Sequence, residues 1–186
     1  MIEKLIHTIA QALESRKIGY MIIGGQAVLI YGRPRLTRDI DITLGVDVDR
    51  FERIEELCRS LKLKTLTPHP REFAVQTRVF PVEDVQSRIR VDFIFSFTPY
   101  EAEAIRRAES VRIGEHLVRV ACREDVIIHK MVAGRAIDEE DVRSILIKSR
   151  TALDIPYIER WLGEFARIPE YEHVLSKWTR LLREDE

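Results

Sequence analysis

Residues 20–42 read Tyr-Met-Ile-Ile-Gly-Gly-Gln-Ala-Val-Leu-Ile-Tyr-Gly-Arg-Pro-Arg-Leu-Thr-Arg-Asp-Ile-Asp-Ile. The pattern predicts a strand, a diglycine turn, a short helix, a basic loop and a second strand. In that second strand Asp39 and Asp41 stand two residues apart, so the strand period puts both carboxylates on one face and turns Ile40 and Ile42 to the other. Two like charges so close repel unless a cation lies between them. Hard oxygen donors suit Mg²⁺ or Mn²⁺.

Gly24 and Gly25 close an apolar run and precede the helix-compatible Gln26-Ala27-Val28-Leu29-Ile30. Without Cβ atoms, such residues let backbone N–H groups approach a phosphate at a helix N-terminus. Arg33, Arg35 and Arg38 then set permanent positive charges just before the carboxylates, as a polyphosphate site requires. A tight structural turn and ordinary surface arginines are the plain alternatives.

Working outward, Ile2, Leu5, Ile6, Ile9 and Leu13 fall at helical spacing and predict a helix over 2–17, ended by Gly19. A second helix is expected from Asp47 to about Leu61. Residues 62–72, with Pro68 and Pro70, read as a loop or edge segment. Phe73–Phe80 reads as a strand ended by Pro81. From Ser87 a β-prone run places Ile89, Val91, Phe93 and Phe95 on one face and Asp92 on the other. Asp92 is costly to bury without a partner; a metal would supply one, and so would Arg90 or water at a sheet edge. Thr98-Pro99-Tyr100-Glu101 opens a helix to about Ala108. Residues 110–113 and 117–121 form a hairpin, and helices are expected over 123–133, 139–149, 156–167 and 170–183. A short acidic tail, Glu184-Asp185-Glu186, follows.

The composition is that of an ordinary soluble chain: 186 residues, 45% apolar, 33% charged, with a net charge of −1. Any nucleic-acid contact must therefore come from a local patch. No apolar run is long enough to span a membrane, and Met1-Ile2-Glu3-Lys4 does not begin a secretion signal, so a cytoplasmic protein is expected. Cys58 and Cys122 have neither disulfide nor zinc-site spacing and read as buried residues. Trp161 and Trp178 read as packing mass, and His129, on a mostly apolar helix, reads the same way.

Taken together, Gly-Gly-x-Ala and Thr37-Arg38-Asp39-Ile40-Asp41 resemble the polymerase-beta-like nucleotidyltransferase superfamily, and within it the AbiEii-type enzymes of toxin–antitoxin systems. The resemblance covers about residues 20–142. It implies an α/β (α+β) nucleotidyltransferase fold: a small mixed sheet flanked by helices over 1–121, then a helical C-terminal region over 122–186. It also implies a third carboxylate on a later strand, for which Asp92 is the candidate, so that Asp39, Asp41 and Asp92 hold the metal. Gly24, Gly25, Thr37 and Arg38 would lie on the nucleotide's phosphates. Further on, Arg123–Val142 resembles the later signature of AbiEii-type proteins, which implies that Lys130 contacts the triphosphate and Asp141 orients it or the base. The implied reaction transfers NMP from an NTP to a hydroxyl of RNA or tRNA, of a protein or of a small molecule, with Mg²⁺ or Mn²⁺. A cognate antitoxin is the implied partner. Gln26-Ala27-Val28 departs from CCA-adding enzymes, whose diglycine precedes Val-Arg-Asp. A non-catalytic module of the same fold, binding nucleotide or a partner protein, is the alternative.

Overall fold

A computed structural model describes residues 1–184, leaving the side chain of Arg150 aside. The last two residues of the acidic tail, Asp185 and Glu186, lie outside the described residues. By its internal contacts the chain forms two compact units: residues 1–26 with 37–121, and residues 27–36 with 122–186. The division differs from a cut at residue 121 in one stretch, 27–36, which belongs with the second unit.

The first unit is built on a seven-stranded mixed sheet. Its strands are β1 (Tyr20–Ile23), β2 (Asp39–Leu44), β3 (Leu63–Thr65), β4 (Val79–Asp84), β5 (Arg90–Phe95), β6 (Glu109–Ile113) and β7 (His116–Val120). Their order is β3-β4-β5-β2-β1-β7-β6. β2 lies centrally, antiparallel to β1 and parallel to β5. Alternation does what it predicts: Ile40 and Ile42 of β2 and Val91, Phe93 and Phe95 of β5 are buried, while Asp39, Asp41 and Asp92 stand on the other face. The apolar faces of α1 (Ile2–Ser15) and α3 (Phe51–Ser60) are buried through Ile6, Ile9 and Leu13, and through Phe51, Ile54 and Leu57. Phe51 lies 4.9 Å from Phe80 and 6.1 Å from Phe95, ring centre to ring centre. α5 (Pro99–Arg107) starts on the expected capping box, with Thr98 accepting from the Glu101 N–H and the Glu101 carboxylate reaching back to the Thr98 N–H.

Two expectations fail between residues 62 and 81. The stretch expected as a loop carries the short strand β3, and the expected strand at Phe73–Phe80 is mostly α4 (Pro70–Thr77). Pro70 in the first turn, Glu72 beside it and Arg78 in the left-handed region closing onto the Ala74 carbonyl mark a complete helix. Phe73 and Val75 remain exposed, so no buried strand face existed for them to fill. The strand begins at Val79, and Pro81 sits inside it. Asp84 and Ile89, and Arg78 and Phe95, are bonded across the β4–β5 ladder, so Pro81, opposite Asp92, falls at a position with no bond to β5. Its missing N–H points to the β3 side, past the end of that short strand, where its carbonyl still accepts from Leu66. In the diglycine stretch the helix α2 (Gly24–Tyr31) starts at Gly24, so both glycines occupy its first turn.

The second unit is helical: α6 (Arg123–Ala133), α7 (Ala136–Ser149), α8 (Ile155–Phe165) and α9 (Val174–Glu184), with the end of α2. α6 packs on α7, α8 and α9. Ile127, Ile128, Ile145, Leu146, Ile158, Leu162 and Trp178 are fully buried. Gly134 ends α6 in the left-handed conformation, and Asp154 caps α8.

Candidate active site

The parallel register of β2 and β5 sets Asp41 directly opposite Asp92 and Asp39 directly opposite Arg90. Paired residues on adjacent strands share a face, and neighbouring strands lie only about 4.8 Å apart. Three carboxylates and one guanidinium therefore form a two-by-two patch at the start of both strands. Asp39 is exposed, and Asp41 and Asp92 are half-buried.

Gly24 follows β1, whose last residue, Ile23, is the register partner of Asp41. Its φ is +63°, and a Cβ there would lie inside the Asp41 carboxylate, 2.8 Å from Cγ. The carboxylate thus uses the space that glycine leaves at the start of α2. At Gly25 a Cβ would come within 2.8 Å of the Thr37 Cβ. Thr37 is therefore held against the first turn of the helix. Gln26, buried, donates from Nε2 to the Asp39 carbonyl at 3.2 Å and ties that turn to the acidic strand. Gly24, Gly25, Thr37, Asp39, Asp41 and Asp92 are thus brought together, and Arg38, exposed, is next in the chain to Asp39.

The cation within the patch is Arg90. Its Nε donates to Asp92 Oδ1 at 2.9 Å. The bond to Asp92, with Asp39 and Asp41 adding their charge, holds the guanidinium more firmly protonated than usual. Among the described residues no three His, Cys, Asp or Glu side chains converge closely enough to ligate one ion. The donors nonetheless fit a divalent cation in kind and in register: hard oxygens on one face of adjacent strands, with a helix start alongside. What they lack is convergence, and Asp92 is bonded to Arg90.

Lys130 and Asp141 meet in the second unit. Lys130, 4% exposed, places Nζ 2.7 Å from Asp138 and 2.9 Å from Asp141. Arg35 grips Asp141 with two bonds, at 2.8 and 2.9 Å. Arg135 grips Asp138 in the same way, at 2.6 and 3.0 Å. Burial pushes both carboxyls up, but their bonds to Arg135 and Lys130, and to Arg35 and Lys130, outweigh it and leave each below its ordinary value. The network also fixes the basic loop. The Arg33 N–H donates to Ser144 Oγ at 3.1 Å, and Lys148 donates to the Gly32 carbonyl.

Sequence reasoning missed Asp138 and Arg35's pairing; it offered Arg90 as a partner for Asp92, a bond the structure shows, but not its place opposite Asp39. Asp138 carried a readable signal, because it stands three residues before Asp141 on a helix and so shares its face. The two cysteines are buried as expected. Burial, first of all, pushes both thiols well above their usual range, so neither is a nucleophile at neutral pH.

A mixed sheet with acids at the start of two parallel strands and a glycine-started helix beside them defines a nucleotidyltransferase fold. The profile of the family described as nucleotidyl transferase AbiEii toxin, type IV toxin–antitoxin system, matches residues 19–145, well over half of the sequence, and the chain belongs to that family. No curated protein matches it significantly in sequence. Among solved structures it resembles the antibiotic-resistance factor ANT(2'')-Ia, with 19% identity, a TM-score of 0.62, and 92% of this chain and 96% of that one covered. It also resembles the lincosamide antibiotic adenylyltransferase LnuA, bound to lincomycin, with 14% identity, a TM-score of 0.54, and 76% and 94% covered. A third likeness is to MenT4, a nucleotidyltransferase toxin of Mycobacterium tuberculosis, with 15% identity, a TM-score of 0.52, and 89% of this chain and 64% of that one covered.

Proposed function

We propose that the chain transfers a nucleoside monophosphate from an NTP to an acceptor hydroxyl, with a divalent metal, as one part of a toxin–antitoxin pair. The observation that carries this is the register of Asp41 against Asp92 beside Gly24, whose absent side chain makes room for the Asp41 carboxylate. Asp39, Asp41 and Asp92 would hold Mg²⁺ or Mn²⁺. When bound, such an ion supplies charge neutralisation for the polyphosphate and lowers the pKa of the acceptor hydroxyl.

The chain's own groups do the rest. Backbone N–H groups at Gly24 and Gly25, with the Thr37 hydroxyl and the Arg38 guanidinium, orient the phosphates. The acceptor oxygen bonds to the α-phosphorus as the bond to the β-phosphate oxygen breaks in line, so that pyrophosphate leaves and the hydroxyl proton passes to a carboxylate of the patch. Lys130 and Asp141 serve as positioning residues. Asp141 holds Arg35, two residues before Thr37, and Lys130 neutralises Asp141 and Asp138 behind it. In this reading the contact expected between Lys130 and the triphosphate gives way to that support, because its ammonium is already engaged by two carboxylates.

ANT(2'')-Ia has been solved with adenylyl-2''-tobramycin, and MenT4 is named a toxin. The first supports a small-molecule acceptor as a candidate here, beside RNA or protein, and the second supports a toxin role. The Arg90–Asp92 bond favours a second reading, a binding module of the same fold that holds nucleotide or an antitoxin without turnover. Incubation with labelled NTPs, Mg²⁺ and cell extract separates the two. Label appearing in RNA, protein or a small product supports transfer. Nucleotide binding that needs Mg²⁺ but yields no labelled product supports the module.

A further inference from the structure

We infer that Arg90 is the resident counter-cation of the acidic patch: it holds Asp92 until a divalent ion takes its place, and so governs how tightly that ion binds before nucleotide arrives. This rests on the metal-dependent reading of the patch given above.

The register makes the case. Asp92 has an acid, Asp41, on its β2 side and a side chain without charge, Pro81, on its β4 side. The cation for Asp92 therefore comes from its own strand, two residues earlier on the same face. Arg90 has Asp39 across from it on β2 and Glu83 across from it on β4. Glu83 is taken by Arg88, whose Nη1 lies 2.8 Å away. Arg90 bonds Asp92 through Nε. One guanidinium thus faces three carboxylates that would otherwise repel one another.

The pair can also be given up. The Arg90 side chain is 51% exposed, so water competes for it and the ion pair is a weak one, while Asp92 at 17% is better shielded. A divalent ion brings twice the charge of the guanidinium, and hard carboxylate oxygens are the donors it prefers. Displaced from Asp92, Arg90 remains beside the patch as a free cation for an incoming phosphate. While the bond stands, Asp92 Oδ1 is turned to Arg90, and among the described residues the three acids do not converge. Arg90 is a positioning residue, and its effect is on metal affinity first.

The test is Mn²⁺ binding to the nucleotide-free full chain, read from the electron paramagnetic resonance of free Mn²⁺, for the wild type, Arg90→Gln, Asp41→Asn and the double variant Arg90→Gln/Asp92→Asn. The wild type is expected to bind Mn²⁺ and Asp41→Asn to bind it many-fold more weakly. Arg90→Gln is expected to bind several-fold tighter than the wild type, with the gain lost in the double variant. Unchanged or weaker binding by Arg90→Gln, with Asp41 still required, overturns the role of Arg90 and leaves the metal site standing. Equal binding by the wild type and Asp41→Asn removes the metal site itself, and this inference with it. A second measurement uses the unaltered protein, in case Arg90→Gln does not fold. The ¹⁵N–Hε resonance of Arg90, assigned by its loss in Arg90→Lys, should shift as Mg²⁺ is added and saturate with the ion. A resonance indifferent to Mg²⁺ at saturation refutes the displacement.

Discussion

At the scale of single residues, the site depends on one position where a side chain cannot exist. Gly24 combines a positive φ with a neighbour, the Asp41 carboxylate, in the space of its missing Cβ. Gly24→Ala is therefore expected to cost roughly 1–2 kcal/mol from the backbone alone, and to displace a proposed metal ligand as well. Transfer should fall further than stability does, which comparing turnover with urea unfolding of the same preparation will show. Asp138 makes a different kind of demand. It is fully buried and neutralises Lys130, which is itself buried. Asp138→Asn should cost about 3 kcal/mol or more, the usual penalty for breaking a buried ion pair from one side. Equilibrium denaturation measures it. The acids of β2 were legible in the sequence because a strand's period is two and their spacing is two. Arg90 was legible as a partner for Asp92, two residues on in the same strand, but not as the neighbour of Asp39, which it meets only through a ladder between segments some fifty residues apart in the chain.

Among the elements, α6 carries the clearest pH dependence. Burial first, and then the charge of the adjacent Lys130, hold the His129 imidazole down at about 4, from an ordinary 6.5. Folded His129 is neutral where an unfolded one would take a proton, so its contribution is complete above about pH 6.5 and is lost as pH falls toward 4. A shift of that size corresponds to about 3 kcal/mol. Asp138 and Asp141, held below their ordinary values, lose their contribution at still lower pH, in the same direction. Unfolding followed from pH 7 to pH 4 should show stability falling in the wild type and a flatter profile in His129→Gln, even if that variant starts lower. The elements themselves were legible wherever local chemistry agreed with burial, as at the Thr98 capping box and the hairpin of β6 and β7. They were not legible between 62 and 81. There Phe73 and Val75 mimic the alternation of a strand while staying exposed on a helix, and Pro81 is tolerated inside a strand because its neighbour β3 has ended.

For the whole molecule, family and fold agree, and among the described residues no helix is long and apolar enough to cross a membrane. The division of the chain was only partly readable. Residues 27–36 look continuous with the diglycine turn, yet they belong to the helical unit through bonds such as Arg35 to Asp141, made 106 residues apart. No local pattern announces such a bond. The most direct measurement sets wild type against Asp41→Asn, an isosteric change that removes one charge from the patch, in transfer of label from an α-labelled NTP in Mg²⁺, with an EDTA control. Labelled product from the wild type, none above the blank from Asp41→Asn or in EDTA, and matching unfolding curves for the two proteins are expected. Comparable labelling by Asp41→Asn, or labelling undiminished by EDTA, would contradict nucleotidyl transfer at this acidic face.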